Sequence, residues 1–440
     1  RNVKQDSYEG ARVYHKLKAK YGDIVPDTSS VTPQERAEIE MYQKAQEKIL
    51  GSIDPRELLF MKRILPGFKK GDSIISMELG KEEFSCADLV NYLPTDVNAK
   101  NTKNAYLGIC KLNNDNDITN KQILNDLEGQ VRKGESVENA PQDYRGEIVK
   151  DDETDINDRY YGNNDVMAGT PFHGTHCSGI IAAARNNGIG VDGIADNVKI
   201  MMIRAVPDGD EHDKDIANAI RYAVDNGAKI ISMSFGKDFS PEKIWVDDAV
   251  KYAESKDVLL VHAAGNDAKN IDSADNFPNP VFADGKGRSN TFITVGASGD
   301  PSNGGITAGF TNYGKKEVDV FAPGVKIYST IPGGNAYGNA SGTSMAGPVV
   351  AGTAAFLLSY YPNLSAKQLK YIIEKSATPL TEKVNLPSSE EKVYLSDISK
   401  SGGLLNAYKA TKLAAELTGE RIAKPEIDLS PKMMKKKGRG

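Results

Sequence analysis

Asn339-Ala340-Ser341-Gly342-Thr343-Ser344-Met345-Ala346-Gly347-Pro348 leads into the apolar run Val349 to Tyr361. Gly342-Thr343-Ser344 reads as a tight turn feeding a helix. Because Val349, Val350, Ala351, Ala354, Ala355, Phe356, Leu357 and Leu358 make that helix apolar on every face, it should run through a core rather than along a surface. The turn aims the Ser344 hydroxyl outward, beside first-turn N–H groups that lack partners within the helix and carry partial positive charge. Such donors can hold an oxyanion. A capping hydroxyl fits the same place, and this stretch alone leaves both readings open.

Phe172-His173-Gly174-Thr175-His176-Cys177-Ser178-Gly179-Ile180-Ile181 opens a second small-residue helix, running on through Ala182 to Arg185. A serine needs a base to become a nucleophile at neutral pH, and imidazole is the side chain whose ordinary pKa suits that role. Of five histidines in the chain, two stand here. A third stretch, Val258-Leu259-Leu260-Val261-His262-Ala263-Ala264-Gly265-Asn266-Asp267, is a buried strand ending in Asn266. After Gly265 that asparagine is a turn former; at the C-terminal end of a parallel strand its amide can also donate to a developing oxyanion.

Taken in order, His-Gly-Thr-His, Ala-Ala-Gly-Asn and Gly-Thr-Ser-Met-Ala resemble the subtilisin family of serine proteases. The resemblance implies His173 as general base, Ser344 as nucleophile, and Asn266 with the Ser344 backbone N–H as oxyanion hole. These roles are carried over from subtilisin rather than derived. His176 is then structural. Lys229-Ile230-Ile231-Ser232-Met233-Ser234-Phe235-Gly236 looks like the family's edge segment, where Ser234, Phe235 and Gly236 pair with an extended polypeptide by β-augmentation. The implied activity is endopeptidic hydrolysis through an acyl-enzyme, with no metal or cofactor required for the chemistry. Structural calcium at an unspecified site and a secreted or cell-envelope location are further expectations from the resemblance. Cys177 lies one helical turn after His173 on the same face, as in the proteinase K-like branch, where it brings sensitivity to mercurials; as a small buried hydrophobe it needs no role.

Composition bounds the remainder. With 440 residues, 39% hydrophobic and 26% charged, the chain has room for a catalytic core and an accessory region. A net charge of −5 argues against general nucleic-acid binding, and no apolar run reaches a membrane span. Three cysteines cannot all pair; spacing does not decide whether Cys86 and Cys110 form a bridge.

Residues 1–150 read as a helical cap or a passive insertion, with start signals at Thr32-Pro33-Gln34-Glu35, Asp54-Pro55-Arg56-Glu57 and Thr119-Asn120-Lys121-Gln122. Residues 151–420 read as the peptidase domain, and 421–440 as a disordered basic tail. From His173 on, helix to Arg185, strand Val198–Ala205, helix Asp213–Asn226, strand Lys229–Ser234, helix Pro241–Lys256 and strand Val258–Ala264 alternate. Strands at Phe292–Ala297, Val318–Phe321 and Lys326–Thr330 follow, and Ser365–Ser376 and Gly403–Leu417 read as helices. That rhythm predicts an α/β fold, a mainly parallel sheet flanked by helices on both faces. The acidic runs Asp151–Asp155 and Asp208–Asp215 invite a calcium reading, although the second lacks an EF-hand's glycine and terminal glutamate. Its acidity, with Asp267 adding, predicts a preference for basic residues upstream of the cleaved bond.

One part of the pattern is missing. The family's catalytic acid ends an early buried strand before the histidine motif, and no such segment precedes His173. Ile148-Val149-Lys150-Asp151-Asp152 comes nearest, with an apolar run of only two residues. The expectation is therefore that Arg1 marks a truncation downstream of that strand and that turnover is impaired. A pseudoprotease or peptide-binding module is the alternative; a non-peptide ester hydrolase is the weaker third.

Overall fold

The computed structural model describes residues 8–23, 31–51, 54–112, 116, 118–167, 171–206, 210–301 and 303–421. The tail Lys432–Gly440 and Asp208-Gly209 of the second acidic run lie outside the described residues.

Each of the three start signals caps a helix. Thr32 accepts from the Glu35 N–H, and the Glu35 carboxylate returns to the Thr32 N–H at 2.9 Å. Asp54 accepts from Arg56 N–H at 2.7 Å, and Thr119 and Gln122 form a second reciprocal pair. The described helices of this region are α1 (Glu9–Tyr21), α2 (Pro33–Leu50), α3 (Pro55–Leu79), α4 (Cys86–Leu89), α5 (Val97–Leu112) and α6 (Asn120–Glu138), followed by a π-turn over Arg145–Val149. As its charged face requires, α2 buries only the stripe Ile39, Tyr42, Ala45 and Ile49; of these, Tyr42, Ala45 and Ile49 cluster with Ala11, Tyr14 and Leu17 of α1. Phe68, Ile75, Ala99 and Tyr106 make a separate core between α3 and α5. A Cys86–Cys110 disulfide ties α4 to α5, which settles the pairing that spacing left open.

Beyond α7 (Phe172–Ala182), α8 (Asp213–Asp225), β1 (Ile230–Met233), α9 (Lys243–Ser255) and β2 (Leu259–Ala263) alternate as the pattern demands. Then come β3 (Phe292–Asp300), β4 (Asn303–Thr307), β5 (Val320–Pro323), β6 (Ile327–Ile331), β7 (Ala336–Ala340) and α10 (Thr343–Tyr360). The C-terminal part holds α11 (Ala366–Ser376), β8 (Thr378–Pro379), β9 (Val384–Asn385), β10 (Lys392–Val393), α12 (Leu395–Ile398), β11 (Gly403–Leu404) and α13 (Ala407–Glu416). The main sheet runs β1-β2-β3-β5-β11-β8, parallel from β1 to β11, with β4 antiparallel on β3 and β8 antiparallel on β11. Successive side chains of a strand face opposite ways, so Leu259 and Val261 join a core with α10 and α11 while Leu260 joins Ile216, Ile220, Val246 and Val250 of α8 and α9. Helices thus cover both faces.

One expected strand does not form. Val198–Ala205 carries an apolar pattern, yet it joins no strand ladder among the described residues; Ile200, Met201 and Met202 are 44%, 43% and 38% exposed. Strand propensity needs a ladder partner to be realised, and β1 is an edge of the sheet among the described residues. Helix was also expected from Gly403, but that residue pairs in β11 and α13 starts at Ala407.

Candidate active site

Ser344 is the second residue of α10. Gly342, before the helix, has φ +156° and ψ +162°, a conformation essentially restricted to glycine; a Cβ there would stand 3.4 Å from Asn266 Nδ2. Four residues after Ser344 comes Pro348, which has no N–H to give the Ser344 carbonyl its helical bond. That carbonyl is instead taken by Ser234 Oγ at 2.9 Å and Cys177 Sγ at 3.3 Å. The missing helical bond so becomes the attachment for two other elements. Ser344 Oγ itself donates to the Ser234 carbonyl at 3.4 Å.

The imidazole comes from α7, packed on α10. Cys177 Sγ is 3.9 Å from His173 Nδ1 and 3.3 Å from the Ser344 carbonyl, so one sulfur atom touches both residues. Burial pushes this thiol up to about 11, keeping it protonated at neutral pH and unfit as a competing nucleophile. His173 keeps an exposed edge, but desolvation, with the neighbouring His176, draws its pKa below the usual imidazole value. The hydroxyl of Ser344 is turned to Ser234 rather than to this ring. His176 is buried, with Nε2 on the Gly338 carbonyl at 3.1 Å, while Ser329 and Thr330 hydroxyls bond the His176 and Thr175 carbonyls. The β6–β7 hairpin therefore clasps α7, a contact between segments some 155 residues apart that no local pattern announces.

Asn266 follows β2 as expected. Its Oδ1 accepts from both the N–H and the hydroxyl of Thr343 at 2.9 Å, and the same hydroxyl accepts from Gly265 N–H at 3.1 Å. With the oxygen end fixed, the NH₂ end is the one left to donate. Thr343 was legible only as a residue between glycine and serine; its double role needed the fold. Ser234, Phe235 and Gly236 follow β1, and Ser234 bonds Ser344, so His173 through Cys177, Asn266 through Thr343, and Ser234 directly all converge on the first turn of α10.

Among the described residues no carboxylate bonds His173. Asp151, the nearest candidate in sequence, is buried against Arg145 and Lys214. Asp152 caps a turn through Thr154. Nor is the second acidic run open to a basic substrate. Asp213 binds Lys237 at 2.9 Å, Ser240 at 2.9 Å and Glu242 N–H at 2.8 Å; Asp215 takes both Arg145 nitrogens at 2.7 Å. Those two charges are neutralised internally, which leaves the exposed Asp267, with Lys269 at 3.9 Å, as the described acid on which the expected preference for basic residues rests. Glu9, Glu153 and His212 bring three ligand-type atoms within 4.8 Å of one another. Arg12 lies 3.1 Å from Glu153 and Lys237 bonds Glu9, which makes the cluster an ion network rather than a cation site.

Ser344 and His173 thus stand on adjoining helix N-termini beside a mainly parallel sheet covered by helices on both faces. The model of the subtilase family (peptidase S8) matches residues 67–400, and the chain belongs to that family. It is 40% identical over 210 residues to a thermophilic serine proteinase of Bacillus sp. strain AK1, covering 48% of this chain and 47% of that one. Thermitase of Thermoactinomyces vulgaris is 36% identical over 241 residues, 54% of this chain and 75% of its own. The cell wall-associated protease of Bacillus subtilis strain 168 is 33% identical over 281 residues, 63% of this chain and 28% of its own. The chain thus spans about half the length of the first relative and less of the last. No helix among the described residues is long and apolar enough to cross a membrane.

Proposed function

We propose that the protein is a serine endopeptidase that cleaves extended polypeptides through an acyl-enzyme on Ser344. The meeting of His173, Cys177 and Ser344 around one sulfur is the observation that carries this reading. A short rotation of Ser344 Oγ from the Ser234 carbonyl aims it at a scissile carbonyl carbon. As the C–O bond forms, the hydroxyl proton passes to His173, and the carbonyl oxygen, now negative, is held by Asn266 NH₂ and the Ser344 N–H. The imidazolium then protonates the departing amine, and water reverses the sequence to free the acid. No metal or cofactor enters any step. That no carboxylate bonds His173 among the described residues supports impaired turnover in this chain and favours one second reading, a peptide-binding module that keeps the cleft. The likeness to a cell wall-associated protease supports a location in the envelope or outside the cell. The bond from Glu9 of α1 to Lys237, the residue after Gly236, supports the cap reading of the helical region over that of a passive insertion.

Reaction with a fluorophosphonate, mapped by peptide mass, tests the proposal. Modification at Ser344 supports it; a protein that binds peptides yet stays unmodified, even with a carboxylate supplied, is the binding module instead. Thr343→Val, close in shape but without the hydroxyl, should slow that modification about tenfold, the weight of one well-placed hydrogen bond. Its melting temperature should fall by only a few degrees, because the Gly265 N–H also loses its acceptor. An unchanged rate would mean that Thr343 does not orient Asn266.

A further inference from the structure

Phe235, in the middle of the substrate segment, turns its carbonyl away from the serine. Carbonyls of successive residues in an extended chain point to opposite sides. The Ser234 carbonyl faces Ser344 Oγ at 3.4 Å, and the Phe235 carbonyl receives Nε2 of His262 at 2.7 Å. His262 lies in β2, opposite Met233 of β1, fully buried between the rings of Phe235 and Phe292 with centroids 6.2 and 5.7 Å away. A carbonyl only accepts, so Nε2 carries the proton and Nδ1 the lone pair. That Nδ1 is buried without a partner among the described residues. Burial draws the ring down to about 4, leaving it neutral at ordinary pH.

An imidazole is a costly filler for a core whose other β2 residues are Leu259, Leu260, Val261 and Ala263. An orphaned buried nitrogen costs about 1–3 kcal/mol, so packing alone does not account for it. What the ring does is hold the segment from beneath: Nε2 lies 3.7 Å from where a Cβ on Gly236 would stand. One residue further, Lys237 exchanges backbone hydrogen bonds with Phe277 at 3.0 and 2.8 Å. Ser234, Phe235 and Lys237 are thereby pinned in turn, while Gly236 is exposed and its N–H and C=O are unpaired among the described residues.

We infer that His262 is a positioning residue for peptide recognition: by holding the Phe235 carbonyl inward, its Nε2–H turns the backbone groups of Gly236 toward an extended substrate. The inference rests on the segment being the substrate edge, as proposed above. It predicts an effect on extended peptides that a small serine-directed reagent does not feel.

His262→Phe keeps the volume and removes the donor, and His262→Gln places an amide N–H near the position of Nε2. Affinity for a fluorescent tetrapeptide amide, read by anisotropy, should fall about tenfold in His262→Phe, as loss of one hydrogen bond implies, and largely recover in His262→Gln. Modification of Ser344 by a small alkyl fluorophosphonate should stay within about twofold in both. Unchanged peptide affinity in His262→Phe, failure of His262→Gln to recover it, or an equal fall in both measurements would overturn the inference. The two measurements also part it from the protease reading. Peptide binding that depends on His262 in a protein never modified at Ser344 would uphold the positioning role and remove the chemistry, whereas a reactive Ser344 with binding indifferent to His262 would do the reverse.

Discussion

Supplying His173 with a carboxylate is expected to raise the rate of fluorophosphonate modification at Ser344 by on the order of 10⁴, a factor carried over from serine proteases that lose this acid. When the imidazole takes the hydroxyl proton it becomes a cation. Its surroundings disfavour that cation: desolvation, with His176 beside it, depresses the pKa, and no acid among the described residues opposes this. A carboxylate on the second ring nitrogen would fix the tautomer and stabilise the imidazolium. The segment to supply is the family's strand ending in aspartate, joined to the N-terminus; the same segment with asparagine is the control. The sign of the pH response also follows. Because the base must be unprotonated, a carboxylate that raises the His173 pKa should move the acidic limb of the rate profile to higher pH. Modification should vanish in Ser344→Ala with either segment. A gain below tenfold from the aspartate segment would mean that His173 is not the base, or already has an acid partner.

Much of this site was legible because its signals are short-range. Gly342-Thr343-Ser344 and His173-Gly174-Thr175 each sit at the mouth of an apolar or small-residue helix, and both stretches fold as read. The capping pairs at Thr32 and Thr119 likewise bind residues three positions on. What stayed hidden depends on partners far along the chain. Val198–Ala205 shows a strand pattern, yet a strand exists only where a neighbour pairs with it. The acids of residues 210–215 announce charge but not Arg145, some 70 residues upstream, which neutralises Asp215. Pro348 stood in the quoted stretch, and its consequence for the Ser344 carbonyl appears only once Ser234 and Cys177 come to meet it. His262 left the clearest unused signal: one polar side chain inside an apolar strand must find a hydrogen-bond partner or destabilise the fold.

Asp319→Ala should lower the unfolding free energy by about 3 kcal/mol, at the low end for removing one member of a buried ion pair. Asp319 precedes β5, is 1% exposed, and gathers three elements. Its Oδ2 accepts from Thr294 N–H of β3 at 2.7 Å, and its Oδ1 meets Lys370 of α11 at 3.1 Å and Lys400 at 3.4 Å. Burial alone would raise its pKa, but Lys370, Glu374, the Thr294 N–H and Lys400 together hold it below the usual carboxylate range. In the alanine variant the buried Thr294 N–H has lost its side-chain acceptor, while Lys370 keeps Glu374 at 3.5 Å and the Phe292 carbonyl, which is why the higher end of the range is not reached. The loss should appear as a lower urea midpoint with little change in slope. A carboxylate whose pKa is depressed by folding stabilises above its unfolded value, about 3.9, and ceases to do so as pH falls through the folded one. The gap between parent and variant should accordingly be flat from pH 5 to 8 and close below about pH 4. Lys370 and Asp319 tie α11 to β3 and β5, in the interior of the same sheet that carries α10, but neither has a bond to Ser344. Fluorophosphonate modification below the melting range should therefore be unaffected, and a gap under about 1 kcal/mol would show that Glu374 alone suffices to hold α11 in place.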